Sequence, residues 1–563
     1  MRWLARYDPG VPRSLVPYPE TTLLELLAET ARRRPDHPFI LFKGARLGAG
    51  ALERLSDAFA AALLSLGIRK GDRFAVLLPN CPQFLIAELG AWKAGAVVVP
   101  LNPIYGEEEL ARPLLATGAE VLLTLNPFYA RVKAVQARTA LRRVIATSIK
   151  EYLPPTLRVL FTLFKEKKEG HRVALAPGDL WLSSLLREHA RAAPPAVTAG
   201  PEDPALILMS GGTTGTPKGV VCPHRALVIT GLQTRAWYEG LLREWEDTLL
   251  LPLPLFHAFG SVGAQSFAIV ARARLALIPN PRDLKDVIAT LRRVRPSFFV
   301  GVPTLFGALL EHPHLAGAGA AFRSLKACIS GAAPLLTETK KRLEALTGGR
   351  VVEGYSLTEA LIASALTPAK GPSPEGSVGL PLPDVEMRIV DAEEGVRELA
   401  PGEVGEVLIR APQLMPGYWQ NPEETARALR RQGEGGPWLF TGDLGRMNED
   451  GFLFIVDRKK DLIKVGGLQV WPREIEEVVA AHPAVAEVGV AGVPDAVKGE
   501  VVKAWVVLRG GMSATEEEIR AFCKERLAPF KAPHRVEFRK ELPKSMVGKV
   551  LRRVLVQEER ASH

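Results

Sequence analysis

Strand-length apolar runs alternate with helix-length amphipathic segments from residue 73 to residue 353, which limits this chain to βαβ units on parallel sheets. A strand is expected over 73–78, a helix over 82–94, a strand over 96–100, a helix over 107–116 and a strand over 120–125. The same order returns with a strand at 206–209, a Gly/Thr-rich loop and a helix from about Arg225. It continues with a helix at 284–294, strands at 298–300 and 325–329, a helix at 335–346 and a strand at 351–353. After Ser377 short strands dominate (386–390, 406–410, 452–456), and the charged run Asp457-Arg458-Lys459-Lys460-Asp461 then interrupts the apolar pattern. Beyond it lies an α+β tail with helices at 472–481 and 515–527, the latter opening on a Thr515/Glu518 capping box, and strands at 485–490 and 502–508. The expected fold class is therefore α/β. A large N-terminal domain, 1–457, carries a β-rich subdomain at about 377–457, and a small α+β domain spans 458–563.

Composition removes several alternatives. With 47% hydrophobic and 24% charged residues, the 563-residue chain is neither disordered nor fibrous. Its most apolar stretch, 84–101, is broken by Glu88 and Lys93, so a membrane-spanning helix is not expected. The first residues, Met1–Asp8, lack the apolar centre of a signal peptide. The four cysteines (Cys81, Cys222, Cys328, Cys523) form no CxxC pair, and a reducing, cytoplasmic setting is expected. A net charge of +10 favours acidic partners such as nucleotides, coenzyme A or anionic lipid. No nucleic-acid-binding signature accompanies it. Between Arg131 and Arg172 basic and apolar residues interleave, which fits either a solvated connector with an apolar underside or contact with an anionic inner-membrane surface.

The sharpest motif is Ser210-Gly211-Gly212-Thr213-Thr214-Gly215-Thr216-Pro217-Lys218-Gly219. Its glycines admit close backbone approach, and its hydroxyls with Lys218 suit phosphate oxygens. Pro217 before Lys218 and Gly219 after it exclude a Walker A loop. The motif resembles the phosphate loop of the adenylate-forming superfamily, which includes acyl-CoA synthetases, adenylation domains and luciferases. Further motifs follow in that superfamily's order: Leu253-Pro254-Leu255-Phe256-His257, Glu353-Gly354-Tyr355-Ser356-Leu357-Thr358-Glu359, Phe440-Thr441-Gly442-Asp443, the charged run at 457–461, and Pro543–Lys549. Pro9-Gly10-Val11-Pro12, Asn102-Pro103-Ile104-Tyr105 and Gly417-Tyr418-Trp419 resemble bacterial long-chain fatty-acid CoA ligases, so the likeness spans nearly the whole chain.

The resemblance implies an acyl-adenylate route from ATP, a fatty acid and CoA to acyl-CoA, AMP and pyrophosphate. Carboxylate and polyphosphate repel; unit charges 4 Å apart at an effective dielectric of ~20 interact by about 4 kcal/mol. Mg²⁺, by resemblance on Glu359 and Ser210, would offset that, with Thr214, Lys218 and Lys549 as further catalytic groups. Tyr355 would stack on adenine beside Gly331, Ala332 and Ala333, with Glu353, Gly354, Ser356 and Thr358 around it. Asp443 and Arg458 would hold the ribose diol. His257, Gly260 and Ser261 would border the acyl tail, the last two by leaving room for it. Gly466 and Gly467 would face the pantetheine, and the C-terminal domain would be mobile about Lys460. Ser356 departs from the glycine usual after the tyrosine. Peripheral membrane contact and a homodimer stay open, as do medium-chain or aryl acids and acyl transfer to a carrier protein. A remote rival is a serine hydrolase with Ser356 on a nucleophile elbow and Asp443 and His482 completing a triad; its elbow lacks the fifth-place glycine, where Thr358 stands.

Overall fold

The helix Pro82–Lys93 has no exposed residue, and its apolar pattern on every side is that of a helix enclosed by protein. It packs on the helix Ala49–Ser65 and on the strands Arg73–Leu77 and Val97–Pro100. Its two charges are answered from within: Lys93 meets Asp57 at 2.6 Å and Glu53 at 2.7 Å, and Glu88 accepts from Gln265. Burial pushes Glu88 up to about 8, so near neutral pH it is mostly the uncharged acid.

The computed structural model describes residues 1–195, 199–210, 217–315, 319–466, 468–495, 499–545 and 548–561, without the side chains of 320 and 469. Among them two large sheets share one core. One sheet runs, in spatial order, Leu180–Trp181, Arg143–Thr147, Val121–Leu125, Arg73–Leu77, Val97–Pro100, Pro204–Ser210 and Lys218–Pro223. Its strands are parallel except the last, which pairs antiparallel with Pro204–Ser210. The other sheet has a parallel centre, Arg350–Tyr355, Ala327–Ser330, Phe298–Gly301, Thr248–Leu251, Arg274–Leu277 and Ile40–Phe42, with antiparallel strands at both margins. The expected parallel α/β domain is thus present. One element was not expected: the Gly/Thr-rich loop leads into the strand Lys218–Pro223 before the helix His224–Trp237, and so closes a hairpin. Val220, Val221 and Cys222 supply the β-forming side chains there.

A third, antiparallel sheet carries Glu386–Val390, Gly405–Arg410, Trp438–Met447 and Leu453–Arg458. The small domain has its own core and a sheet built on Val485–Asp495 and Gly499–Leu508. In its helix Glu516–Lys524, Thr515 and Glu518 cap each other reciprocally, as their spacing suggests. The chain passes from the third sheet to the small domain's Ile463–Val465 through the short turn Lys459–Asp461. Arg552 crosses this junction, at 2.9 Å from Asp457, 3.2 Å from Asp461 and 2.7 Å from Glu476.

After His257 the chain forms a π-helical turn, Phe259–Gln265, that continues into Ser266–Val270. A Cβ on Gly260 would lie 2.1 Å from the carbonyl oxygen of Pro254, so backbone packing requires glycine there. Gly260→Ala is expected to destabilise the large domain by about 2–3 kcal/mol, read as a lower apparent melting midpoint; an unchanged midpoint would contradict this packing.

Candidate active site

The ends of several strands converge on a cavity of about 580 Å³. Ser210, Ser330 and Tyr355 are each the last residue of their strand, and all three line it. Carboxyl ends of parallel strands are where α/β sheets place ligands, because helix starts and loops with free N–H groups face the same space. Of the phosphate-loop motif, Ser210 and Lys218 pair across the hairpin and both line the cavity. Gly211, Gly212, Thr213, Thr214, Gly215 and Thr216 lie outside the described residues.

Asp443, nearly buried, joins the antiparallel sheet to the large parallel one. Its Oδ2 accepts from the Tyr355 hydroxyl at 2.8 Å, and its Oδ1 lies 3.0 Å from Arg458 Nε. Loss of solvation, and then the Asp443 carboxylate, hold the Tyr355 phenol well above its usual pKa, so it donates as a neutral hydroxyl. Burial alone would lower Arg458, but Asp443 and Asp461 outweigh it and raise the guanidinium. Beside them Glu406 takes the Gly442 N–H at 3.0 Å and Lys459 Nζ at 3.2 Å.

At another part of the rim Lys218 pairs with Glu424 and sits 5.2 Å from the centre of the Tyr418 ring. The Tyr418 hydroxyl donates to Glu359 Oε1 at 3.2 Å, and Glu424 also holds Arg427. Among the described residues the buried Ser210 hydroxyl has no hydrogen-bond partner. The Glu359 carboxylate and the Ser210 hydroxyl both line the cavity and offer oxygens of the kind Mg²⁺ takes, with waters free to complete its shell.

His257 and Phe259 border the remaining wall. Burial lowers His257 to about 4. Its Nδ1 accepts the Phe259 N–H at 3.3 Å, so the neutral ring carries its proton on Nε2. Phe259 packs over Gly331, where a Cβ would lie 2.9 Å from its ring, and the neighbouring Ala332 holds a left-handed φ of +68°.

Lys549 comes from the small domain. It is an exposed residue that also lines the cavity, and lost solvation, with Arg458 nearby, lowers it to about 8. The preceding Gly548, at φ +73°, lies so close to Thr304 that a Cβ would stand 1.9 Å from Thr304 Oγ1.

The cavity thus gathers Ser210, Lys218, His257, Gly331, Ala332, Gly354, Tyr355, Ser356, Thr358, Glu359, Arg458, Lys460 and Lys549, with Asp443 beneath. Glu353 pairs with Lys340 at 2.8 Å, and neither it nor Ala333 lines the wall. Gly260 and Ser261 do not make room for a tail here: Gly260 packs on Pro254, and the buried Ser261 bonds back to the His257 carbonyl at 3.2 Å. Gly466 is exposed away from the cavity lining, and Gly467 lies outside the described residues. Sequence reasoning did not single out Phe259, Ser330, Glu406, Arg427 or Arg430; Tyr418 and Lys459 stood in quoted motifs without a role of their own. The hydrolase geometry is absent: no helix directly follows Ser356, its hydroxyl donates to the Ala363 carbonyl at 3.0 Å, and Asp443 is held by Tyr355 and Arg458.

Strand ends around one cavity, the Ser210–Lys218 strand pair at its rim and a lysine from the C-terminal segment agree with the family that the sequence comparisons find. A family model described as "AMP-binding enzyme" matches residues 27–419, and one described as "AMP-binding enzyme C-terminal domain" matches 474–549. The chain belongs to the AMP-binding enzyme family. It is 39% identical to a long-chain-fatty-acid–CoA ligase of Bacillus subtilis, over 100% of this chain and 98% of that protein. It is 37% identical to one of Escherichia coli O157:H7, over 99% and 98%. Among solved structures, ATP-bound MatB from Rhodopseudomonas palustris superposes with a TM-score of 0.81 at 29% identity, covering 96% of this chain and 99% of that one. An anthranilate CoA ligase with anthranoyl-AMP gives 0.83 at 26%, covering 97% and 99%.

Lys549 is expected to react with an amine-directed label half-maximally near pH 8, roughly two units below an ordinary lysine, as read by peptide mass spectrometry. Asp443→Asn should move that midpoint lower, because the carboxylate favours the charged ammonium. A midpoint near 10 would contradict the cavity environment.

Proposed function

We propose that this protein is a long-chain fatty-acid CoA ligase working through an acyl-adenylate. The observation that carries the reading is one cavity holding Tyr355, Arg458, Glu359, Ser210, Lys218 and Lys549 together. Curated relatives named long-chain-fatty-acid–CoA ligase, at 33–39% identity over nearly full length, support the substrate class.

In the first half-reaction a fatty carboxylate oxygen attacks the α-phosphorus of ATP, and the bond to the pyrophosphate oxygen breaks. Tyr355 faces the adenine, while Asp443 and Arg458, each fixed by the other, meet the ribose hydroxyls. Lys549, charged below about pH 8, bridges the acyl carboxylate and the α-phosphate as negative charge builds there. Lys218 meets the outer phosphates, and neutral His257 offers its Nε2 proton to the acyl end. Mg²⁺ on Ser210 and Glu359 supplies charge neutralisation for the phosphates when bound. In the second half-reaction the small domain turns about Lys460, Lys549 leaves, and the CoA sulfur attacks the acyl carbonyl to release AMP. A fatty acid travels in or on lipid, so peripheral contact with a membrane belongs to the same reading.

Incubation with MgATP, palmitate and CoA is expected to yield AMP, pyrophosphate and palmitoyl-CoA, each dependent on both ATP and palmitate. Turnover with aryl or short acids alone would move the substrate class. Lys549→Ala should cut acyl-AMP formation by about 100-fold or more and leave thioester formation from supplied acyl-AMP largely intact. Equal loss of both steps would remove its assigned role. Lys460→Pro should slow thioester formation more than adenylation, measured as separate pre-steady-state rates; equal effects would refute a hinge there.

A further inference from the structure

The segment Pro155–Lys165 is built inside out. An α-helical turn pair, Pro155–Leu160, runs into a π-helical turn, Phe161–Lys165. Polar groups of the segment and of the residue after it are tied to the protein. Arg158 donates to the carbonyls of Lys150, at 3.1 Å, and Glu151, and Glu166 pairs with Lys150 Nζ at 2.5 Å. Phe161 turns inward too, its ring 4.9 Å from that of His171. The remaining apolar side chains point to solvent: Leu163 and Phe164 are each 70% exposed, Val159 58% and Leu160 49%. An amphipathic helix on a globular surface normally buries that stripe. An exposed apolar patch on an anchored support marks an interaction surface. The chain's expected apolar underside is therefore not where these residues go.

Around the patch lie Lys165, Lys167, Lys168 and Arg172, all exposed. Apolar residues that reach outward between cations match an anionic bilayer, where the side chains enter the acyl boundary and the cations meet headgroup phosphates. A protein groove would instead need shape and paired hydrogen bonds, and the outward tips of this segment are Leu, Val and Phe. We propose that residues 155–172 dock the protein on an anionic lipid surface, with Leu157, Leu160, Leu163 and Phe164 as the inserting residues. Among the described residues no helix is long and apolar enough to cross a membrane, so the contact is peripheral.

The test uses the full chain and extruded vesicles, sedimented and quantified. Wild type is expected to co-sediment with phosphatidylethanolamine/phosphatidylglycerol vesicles, more weakly at high salt, and weakly with pure phosphatidylcholine. Leu163→Glu/Phe164→Glu should weaken binding to the anionic vesicles roughly tenfold or more. Lys167→Glu/Lys168→Glu should remove most of the salt dependence. Both variants alter exposed positions, so their melting curves should match wild type. The assignment is overturned if wild type does not bind anionic vesicles, or if the Leu163/Phe164 variant binds as well as wild type. It is equally overturned if that variant breaks a dimer in size-exclusion while its vesicle binding is unchanged; the face would then be a contact between copies. None of these readouts depends on ligase activity, so failure here and failure of the proposed reaction are separable.

Discussion

Asp443 is the point on which the site depends. One nearly buried carboxylate takes a hydrogen bond from Tyr355 at the end of a parallel strand and an ion pair from Arg458 at the last residue of the third sheet. A buried charge of this kind is costly unless its lone pairs are satisfied, and here the two partners come from different sheets. The acid therefore sets the distance between the large parallel sheet and the antiparallel one. It also fixes the residue from which the chain departs toward the small domain. Three residues later along the same charged run, Arg552 of the small domain closes on Asp461, having already met Asp457. The Asp443–Arg458 pair at the cavity and the attachment of the small domain thus belong to one electrostatic network.

A second network neutralises the rim around Lys218. Lys218 is held by Glu424, Glu424 by Arg427, and Glu359 by Tyr418, whose ring also faces Lys218. Without nucleotide, the cations and anions of this rim satisfy one another. An anion that took Lys218 on the proposed reading would exchange partners with Glu424 instead of meeting bare charge, which keeps the desolvation cost small.

Most of the architecture was legible in the sequence because its signals are local. The enclosed helix at 82–93 shows apolar residues on all sides, the strand periods are short and clear, and the Thr515/Glu518 cap is a matter of spacing. What escaped was what depends on partners distant along the chain. The strand Lys218–Pro223 was hidden behind a loop that looked like a strand-to-helix turn. Gly260 read as room for a substrate, yet its smallness answers a carbonyl six residues earlier. Phe259, Arg427 and Arg430 reach the cavity only because separate strands and turns converge, and no local pattern marks them. The direction of the apolar side chains at 157–164 was likewise undetermined, since either side of a short helix with a π turn can face inward until Arg158 and Glu166 find their anchors.

The seat of the small domain rests on an absent side chain. Gly548 meets Thr304 across the domain boundary with no space for even a methyl group, and at a φ that other residues resist. A residue that touches no substrate therefore acts as a stereochemical detent, admitting the lysine loop into one position as a notch admits a pin. The constraint on position 548 thus arises from steric fit against Thr304, not from chemistry.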